Sequence, residues 1–157
     1  MGAVNPDLHR WILASFAKHL HTKATAGGIA LVVEFLNKRS PTWEASSPRA
    51  EALITGPMTK EISTGIQRAW VDVFITLTTN RGSNDYGHID AAGVFANALD
   101  QCVLVKDYGD TGLIEVGSMS PISDTGQTVN VQHLKPIEAD ETIHSTIQAR
   151  FYGLFSE

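Results

Sequence analysis

"IQRAWVDVFITLTT" (residues 66–79) alternates between two kinds of side chain, and this alternation decides the fold. Its odd-numbered positions from Ala69 to Leu77 are small or aliphatic, which is typical of a β-strand that buries one face. "HSTIQARFYGLF" (144–155) repeats the pattern, with Ile147, Ala149 and Phe151 on the odd side. The even positions of the two stretches combine arginine with aromatic and polar residues: Arg68, Trp70, Asp72, Phe74, Gln148, Arg150 and Tyr152. We therefore predict two long strands that share a core face and an opposite face unlike ordinary polar surface.

The composition is that of a single globular domain covering residues 1–157. The formal net charge of −5 argues against a dedicated nucleic-acid-binding protein, which normally carries a basic stripe. The one cysteine, Cys102, excludes an intramolecular disulfide, and we predict that it is buried as a small apolar residue. No apolar run approaches the roughly 18 residues of a membrane span, and the N-terminus does not resemble a signal peptide. We expect a soluble protein that remains in the compartment where it is made.

The segments around the two long strands predict two helices and several shorter strands. Asn5-Pro6-Asp7 has the composition of a helix start, and the apolar residues from Leu8 to Leu20 follow helical spacing up to Gly27-Gly28. A second helix is predicted over 88–101. Strands are predicted at 29–36, 50–57, 62–79, 102–108, 112–119 and over the closing stretch, with further strand character at 128–134, and loops at 37–49, 80–88 and 117–142. The fold class is therefore α+β, a mainly antiparallel β-sheet with two α-helices packed on one face, in the order α-β-β-β-α-β-β-β.

The chain lacks the motifs of the common enzyme classes. There is no nucleophile elbow, phosphate-binding glycine loop, calcium loop or helical histidine pair. We therefore predict a non-enzymatic protein with no catalytic residues, no metal and no cofactor. One alternative is a small α+β enzyme or ligand-binding domain with His88, Asp90 and Asp107 around a pocket.

The even face of the long strands is the strongest functional signal. Aromatic residues and arginine interleaved with polar groups are enriched at protein–protein interfaces. The chain's own loops, 37–49 or 117–142, could cover this face, or a neighbouring subunit could. The length of the strands favours the subunit, because such strands extend beyond their own core. The predicted subunit interface consists of the seven even-face residues named above.

The layout resembles the tail terminator (tail completion) proteins of long-tailed bacteriophages of the siphophage type. The features that carry the resemblance are "PDLHRWILASFAKHL", "GGIALVVEF", "GIQRAWVDVFITLTT", "HIDAAGVFANALDQCV" and "HSTIQARFYGLF". They follow the family's order of amphipathic helix, strand, loop, long β-hairpin, second helix and long closing strand. Residues 37–49 and 117–142 are longer than this pattern needs.

The resemblance implies a virion structural protein that forms a ring of six copies. The ring would cap the tail tube, end tube polymerisation and provide the surface that joins the head. Its partners would be further copies of itself, the tail-tube protein and a head-completion or neck protein, while DNA passes through the lumen without specific binding and no membrane is involved. It would be assembled in the cytoplasm of the host bacterium and reside in the tail or neck of the virion.

The same resemblance suggests loop contacts with tube or head, and one close alternative. The candidate contact residues are Lys38, Arg39, Trp43, Arg81, Asp85, Tyr86 and Asp124, with Trp43 expected to be exposed. The alternative is a head–tail connector or head-completion protein of the phage neck, which has similar size and symmetry.

Overall fold

A β-sheet carries two helices on one of its faces in the computed structural model, which describes residues 7–33, 43, 48–80, 87–122, 129–133 and 142–156. The elements within these residues are α1 (Leu8–Ala26), β1 (Ala30–Val33), β2 (Arg49–Ser63), β3 (Ile66–Asn80), α2 (Gly87–Leu99), β4 (Val103–Lys106), β5 (Glu115–Pro121), β6 (Val129–His133) and β7 (Thr142–Ser156). The strand order is β1-β2-β3-β7-β5-β4, and β6 also pairs with β7. β1 and β2 are parallel and all other paired strands are antiparallel.

These elements confirm the predicted α+β class and its order of helices and strands. The stretch at 128–134 forms β6, so four strands follow α2. α2 begins one residue before the predicted helix, at Gly87, and ends two residues earlier, at Leu99. Asp7 precedes α1 without making a side-chain capping hydrogen bond, and the predicted start at 5–6 lies outside the described residues.

β3 and β7 form the centre of the sheet and pair without a break from Ile66↔Ser156 to Asn80↔Thr142. This register sets Ile75 opposite Ile147 on the face that the helices cover. The odd positions of both strands are buried as predicted: Ala69, Val71, Val73, Ile75, Leu77, Ile147, Ala149, Phe151 and Phe155. The period of two in the sequence therefore corresponds to the pleat of this central strand pair.

The helices complete the core through the apolar faces expected from their spacing. Ile12, Phe16 and Leu20 of α1 are fully buried, as are Phe95 and Leu99 of α2. The rings of Phe16 and Phe151 meet edge to face, with centroids 4.9 Å apart and an interplanar angle of 77°. Such a contact adds about 0.5–1.5 kcal/mol beyond the buried area. Among the described residues, no helix is long and apolar enough to cross a membrane.

The long hairpin of β2 and β3 differs from the prediction in its first strand. A short strand at 50–57 and a long strand from Ile62 were expected, but β2 continues to Ser63 and the chain turns at 64–65. Gly65 occupies this turn with φ +78°, a conformation that favours glycine. Gly56-Pro57, which indicates a turn in the sequence, is absorbed by a register shift between Thr55 and Met58, so the ladder resumes beyond it.

Candidate interaction surface

The β3–β7 register brings the seven predicted interface residues together on one surface. Trp70 lies opposite Tyr152, Asp72 opposite Arg150, and Phe74 opposite Gln148. Arg68 extends the row toward the hairpin turn. We call this row the β3–β7 strip; it comprises Arg68, Trp70, Asp72, Phe74, Gln148, Arg150 and Tyr152. The strip lies on the face of β3 and β7 opposite the helices because its residues alternate with the buried ones.

A two-point ion pair occupies the middle of the strip. Arg150 Nε lies 2.7 Å from Asp72 Oδ1, and Arg150 Nη2 lies 3.4 Å from Asp72 Oδ2. The arginine side chain is 54% exposed and the aspartate side chain 22% exposed. A pair this accessible contributes about 0–1 kcal/mol to stability, so its clearest effect is to orient the arginine side chain toward Asp72.

Arginine and tryptophan also meet at the end of the strip near the hairpin turn. The guanidinium carbon of Arg68 lies 5.7 Å from the ring centroid of Trp70, within cation–π distance. Arg68 Nε is buried and has no hydrogen-bond partner among the described residues. A buried donor of this kind costs free energy unless another group approaches it.

β2 widens the surface with residues that the sequence did not single out. Leu53 lies opposite Phe74, Met58 opposite Trp70, and Lys60 opposite Arg68. We call these three residues the β2 flank. The face that Met58 and Lys60 occupy depends on the shift between Thr55 and Met58, which the sequence does not indicate. Leu154, which lies opposite Arg68, was also missed, although it occupies an even position of the closing strand.

The apolar side chains of this surface are accessible. Phe74 and Tyr152 are each 40% exposed, Leu53 48%, Leu154 50% and Met58 57%. Of the 117–142 segment, Ser120 and Pro121 pair with β7 as part of β5 and so extend the sheet sideways, while residues 123–128 and 134–141 lie outside the described residues. The surface combines exposed aromatic and aliphatic groups with fixed charges, which suits it to bind another protein.

Of the seven residues predicted to contact tube or head, six lie outside the described residues. The seventh, Trp43, is not exposed. Lys38, Arg39, Arg81, Asp85, Tyr86 and Asp124 belong to segments that the structure does not describe. The expectation of an exposed Trp43 is wrong: the residue is buried, and its Nε1 donates to the carbonyl of Ala30 at 3.2 Å. Arg49 lies against its ring at 5.8 Å. The indole therefore packs against the β1–β2 edge of the sheet.

His88 is buried between the two central strands. Its Nδ1 lies 2.7 Å from Thr79 Oγ1 on β3, and its Nε2 lies 2.6 Å from Ser145 Oγ on β7. Both ring nitrogens therefore have hydroxyl partners, and the ring ties the start of α2 to the sheet. Asp90, two residues on, is exposed on α2. The histidine has a structural environment here and does not face an open pocket.

Asp107 organises the turn between β4 and β5. Its carboxylate accepts hydrogen bonds from Thr111 Oγ1 at 2.8 Å and from the amide of Ile114 at 2.9 Å. Desolvation opposes its ionisation, but the hydrogen bonds from Thr111 and Ile114 prevail and hold the pKa of Asp107 below its ordinary value. No group of three or more potential metal ligands occurs among the described residues. His88 and Asp90 both belong to α2, where one is buried and the other exposed, whereas Asp107 is engaged in the turn that follows β4.

An open groove of about 330 Å³ lies between α1 and β4. Lys18, Lys23 and Lys106 line it together with His19, whose Nε2 is bonded to the carbonyl of Ala98 at 2.9 Å. Cys102 also lines the groove and is exposed, so the prediction that it is buried is wrong. Ser15 hydrogen-bonds the carbonyl of Trp11 and the amide of Lys106, so its hydroxyl is already engaged. The groove lacks the enclosed apolar walls typical of a small-molecule site.

Comparison with known proteins shows a recurrent fold. No family model matches the chain, and no curated protein matches it. Among solved structures, 25 chains match. One of them aligns over 99% of this chain and 99% of its own length, with a TM-score of 0.63 and 12% sequence identity. The name it carries states neither an activity nor a partner. A likeness at this identity shows the fold alone.

Proposed function

We propose that the protein is a tail terminator of a long-tailed bacteriophage, a virion structural protein that forms a homohexameric ring on the end of the tail tube. The observation that carries the proposal is the β3–β7 strip, which lies on the face of β3 and β7 opposite the helices and has exposed aromatic side chains. The order of elements, which resembles that of tail terminators, supports the same conclusion.

The chemistry of the strip supports assembly as its role. Burying a large apolar side chain contributes about 1.5–3 kcal/mol. Phe74 and Tyr152, which each retain 40% of their exposure, would gain part of this on contact with a neighbour. The Asp72–Arg150 pair adds a fixed dipole that favours one orientation of the neighbouring subunit over others.

A ring places specific demands on this surface. Closed rings are built from heterologous contacts, in which one patch of a subunit meets a different patch of the next. In the proposed ring, the strip contacts the neighbouring subunit. Other surfaces contact the tail-tube protein on one side of the ring and a head-completion protein on the other. The net charge of −5 suits a lumen through which DNA slides without being held. The ring would be assembled in the cytoplasm of the host and retained in the virion.

The first prediction concerns the assembly state. Size exclusion with light scattering and negative-stain imaging should show a ring with the mass of six copies. Trp70→Asp and Arg150→Glu should weaken assembly while leaving the circular dichroism spectrum unchanged. Loss of a central aromatic residue costs about 2 kcal/mol or more, which is roughly 30-fold in subunit affinity.

Ile89→Asp serves as the matched control, because Ile89 is 53% exposed on α2, on the helical side of the sheet. It should assemble like the wild type. A wild-type chain that stays monomeric at high concentration would contradict the proposal, and unfolding of Trp70→Asp would show that the strip is part of the chain's own core. Co-sedimentation with purified tail tubes, but not with head particles, then separates a terminator from a neck connector.

A further inference from the structure

The groove between α1 and β4 is a basic site in an acidic chain. One side of it is a stripe of polar residues on α1 at the helical spacing i, i+3, i+4, i+7 and i+8: Ser15, Lys18, His19, Thr22 and Lys23. The other side is formed by residues of the segment 101–108, among them Lys106. No aspartate or glutamate of the described residues lines the groove, although the whole chain has a net charge of −5. Its three lysines therefore concentrate positive charge there.

The three ammonium groups form no ion pair within the part of the chain that the structure describes. Glu115 lies opposite Lys106 in the β4–β5 register, but the two side chains are not in ion-pair contact. Nζ of Lys18 lies 5.1 Å from the ring centroid of Tyr108, a cation–π contact that positions this charge without neutralising it. The groove therefore presents cationic donors that an anionic ligand can engage.

β4 adds backbone groups to the same groove, because it is the last strand in the order of the sheet. The amide of Asp107 donates toward β5, to the carbonyl of Ile114. The amide of Lys106 donates to the other side, to Ser15 Oγ at 3.1 Å. Since neighbouring residues of a strand direct their amides and carbonyls to opposite sides, those of Leu104 point away from β5, like the amide of Lys106. Leu104 lines the groove, and no strand of the described residues pairs with this side of it.

The length of the groove matches a short stretch of extended chain. From Ser15 to Lys23 the stripe on α1 runs about 12 Å, at the helical rise of about 1.5 Å per residue. An extended chain advances about 3.3 Å per residue, so about three or four residues fit beside it. We propose that the groove binds an extended acidic segment of another protein, whose backbone pairs with Leu104 and whose carboxylates contact Lys18, Lys23 and Lys106. This inference uses neither the β3–β7 strip nor the ring and does not depend on the proposed function.

An acidic peptide fits this groove better than a nucleic acid does. A peptide backbone supplies, at the spacing of a strand, both a donor and an acceptor for the free edge of β4, which is an established mode of peptide recognition. Three ammonium groups replace only a few of the counterions that surround a duplex. The net charge of −5 also repels a long polyanion more strongly than a short peptide. The exposed side chain of Leu104 adds an apolar contact beside the lysines.

The native thiol of Cys102 reports whether the groove is occupied, because it is exposed, lines the groove and is the one cysteine of the chain. Alkylation of the full-length protein by uncharged N-ethylmaleimide is followed by mass spectrometry, with and without a peptide of alternating glutamate and threonine. At about ten times the Kd, about a tenth of the grooves stay free, so the rate should fall about tenfold. A peptide of alternating lysine and threonine should leave the rate unchanged. In a control chain with Cys102→Ser and Ile89→Cys, the acidic peptide should not slow alkylation.

Charge-neutral variants then locate the contact. Lys18→Gln and Lys23→Gln should each weaken the affinity for the acidic peptide about threefold, because an exposed ion pair contributes about that much. Lys60→Gln is the matched control: it removes the same charge from β2, outside the groove, and should leave the affinity unchanged. A peptide with proline in place of threonine should bind more weakly, because proline disfavours strand pairing.

Three results would overturn the inference. Failure of the acidic peptide to protect Cys102, or equal binding of the proline peptide, would exclude an added strand at β4. Protection by a short DNA duplex at lower concentrations than the peptide would assign the groove to nucleic acid. Protection that appears only after Glu138→Gln, Asp140→Asn and Glu141→Gln would show that the chain's own acidic segment competes for the groove, so that it is not a partner's site.

Discussion

At the scale of single residues, polar side chains inside this fold serve to join elements. His88 joins α2 to β3 and β7 through two hydroxyl groups, and Trp43 joins its own segment to β1 through one carbonyl. Each group is buried with a partner, which is the condition under which buried polarity is tolerated. The two hydrogen bonds of His88 therefore explain why a histidine occupies this buried position.

Replacing His88 tests this explanation. His88→Ala should lower the free energy of unfolding by about 2–4 kcal/mol, because it opens a cavity and leaves the hydroxyls of Thr79 and Ser145 without the ring. Chemical denaturation followed by circular dichroism measures the change. Asp90→Ala, at an exposed position of the same helical turn, should stay within about 0.5 kcal/mol of the wild type. Equal effects of the two substitutions would show that His88 has no special role.

At the scale of elements, the turn between β4 and β5, residues 107–114, is stabilised by the carboxylate of Asp107, which accepts hydrogen bonds from Thr111 and Ile114. The pKa of Asp107 is lowered because its hydrogen bonds outweigh the cost of desolvation. A carboxyl whose pKa is lower in the folded state stabilises the fold above its unfolded pKa, near 3.8. That contribution is lost as the pH falls through the lower, folded pKa.

Asp107→Asn should therefore remove part of the pH dependence of stability. The wild-type protein should lose stability as the pH falls below about 4, and the variant should be less stable near neutral pH and show a shallower decline in that window. Equilibrium denaturation at a series of pH values gives both slopes. Asp90→Asn, at an exposed carboxylate of α2, is the control and should follow the wild type. Parallel curves for Asp107→Asn and wild type would refute the assigned role of the carboxylate.

At the scale of the whole molecule, the charge of the chain bears on how the proposed ring would interact with DNA. The chain has 17 acidic residues against 12 basic ones, and the cations Arg68 and Arg150 are engaged with Trp70 and Asp72. A duplex needs a row of free cations to replace its counterions. The proposed ring can therefore surround DNA without holding it.

The corresponding prediction is an absence of tight DNA binding. In an electrophoretic mobility assay at physiological salt, the assembled protein should leave duplex DNA unshifted at micromolar concentration. Asp90→Lys together with Asp100→Lys, which adds cations at exposed positions outside the strip, should introduce a salt-sensitive shift. A salt-sensitive shift with the wild-type chain would indicate a basic surface that its composition does not suggest.

The sequence predicted the parts of this molecule that depend on local periodicity. Alternation along 66–79 and 144–155 identified the core face and all seven residues of the β3–β7 strip. It did not identify Met58 and Lys60, because Gly56-Pro57 resembles a turn and their register depends on a shift in pairing with β3. It misjudged Trp43 and Cys102 for a related reason: burial in loops and at strand edges depends on which distant segment packs there.

The unbroken pairing of β3 with β7 also has a consequence for how such a surface can change over time. Since alternate residues point to opposite sides of the sheet, every substitution at an even position spares the packing beneath the helices. If the strip is the subunit contact proposed above, a few substitutions in these two stretches would change that contact while the fold stays the same. Relatives of such a protein would keep the same fold after their sequences had diverged beyond recognisable similarity.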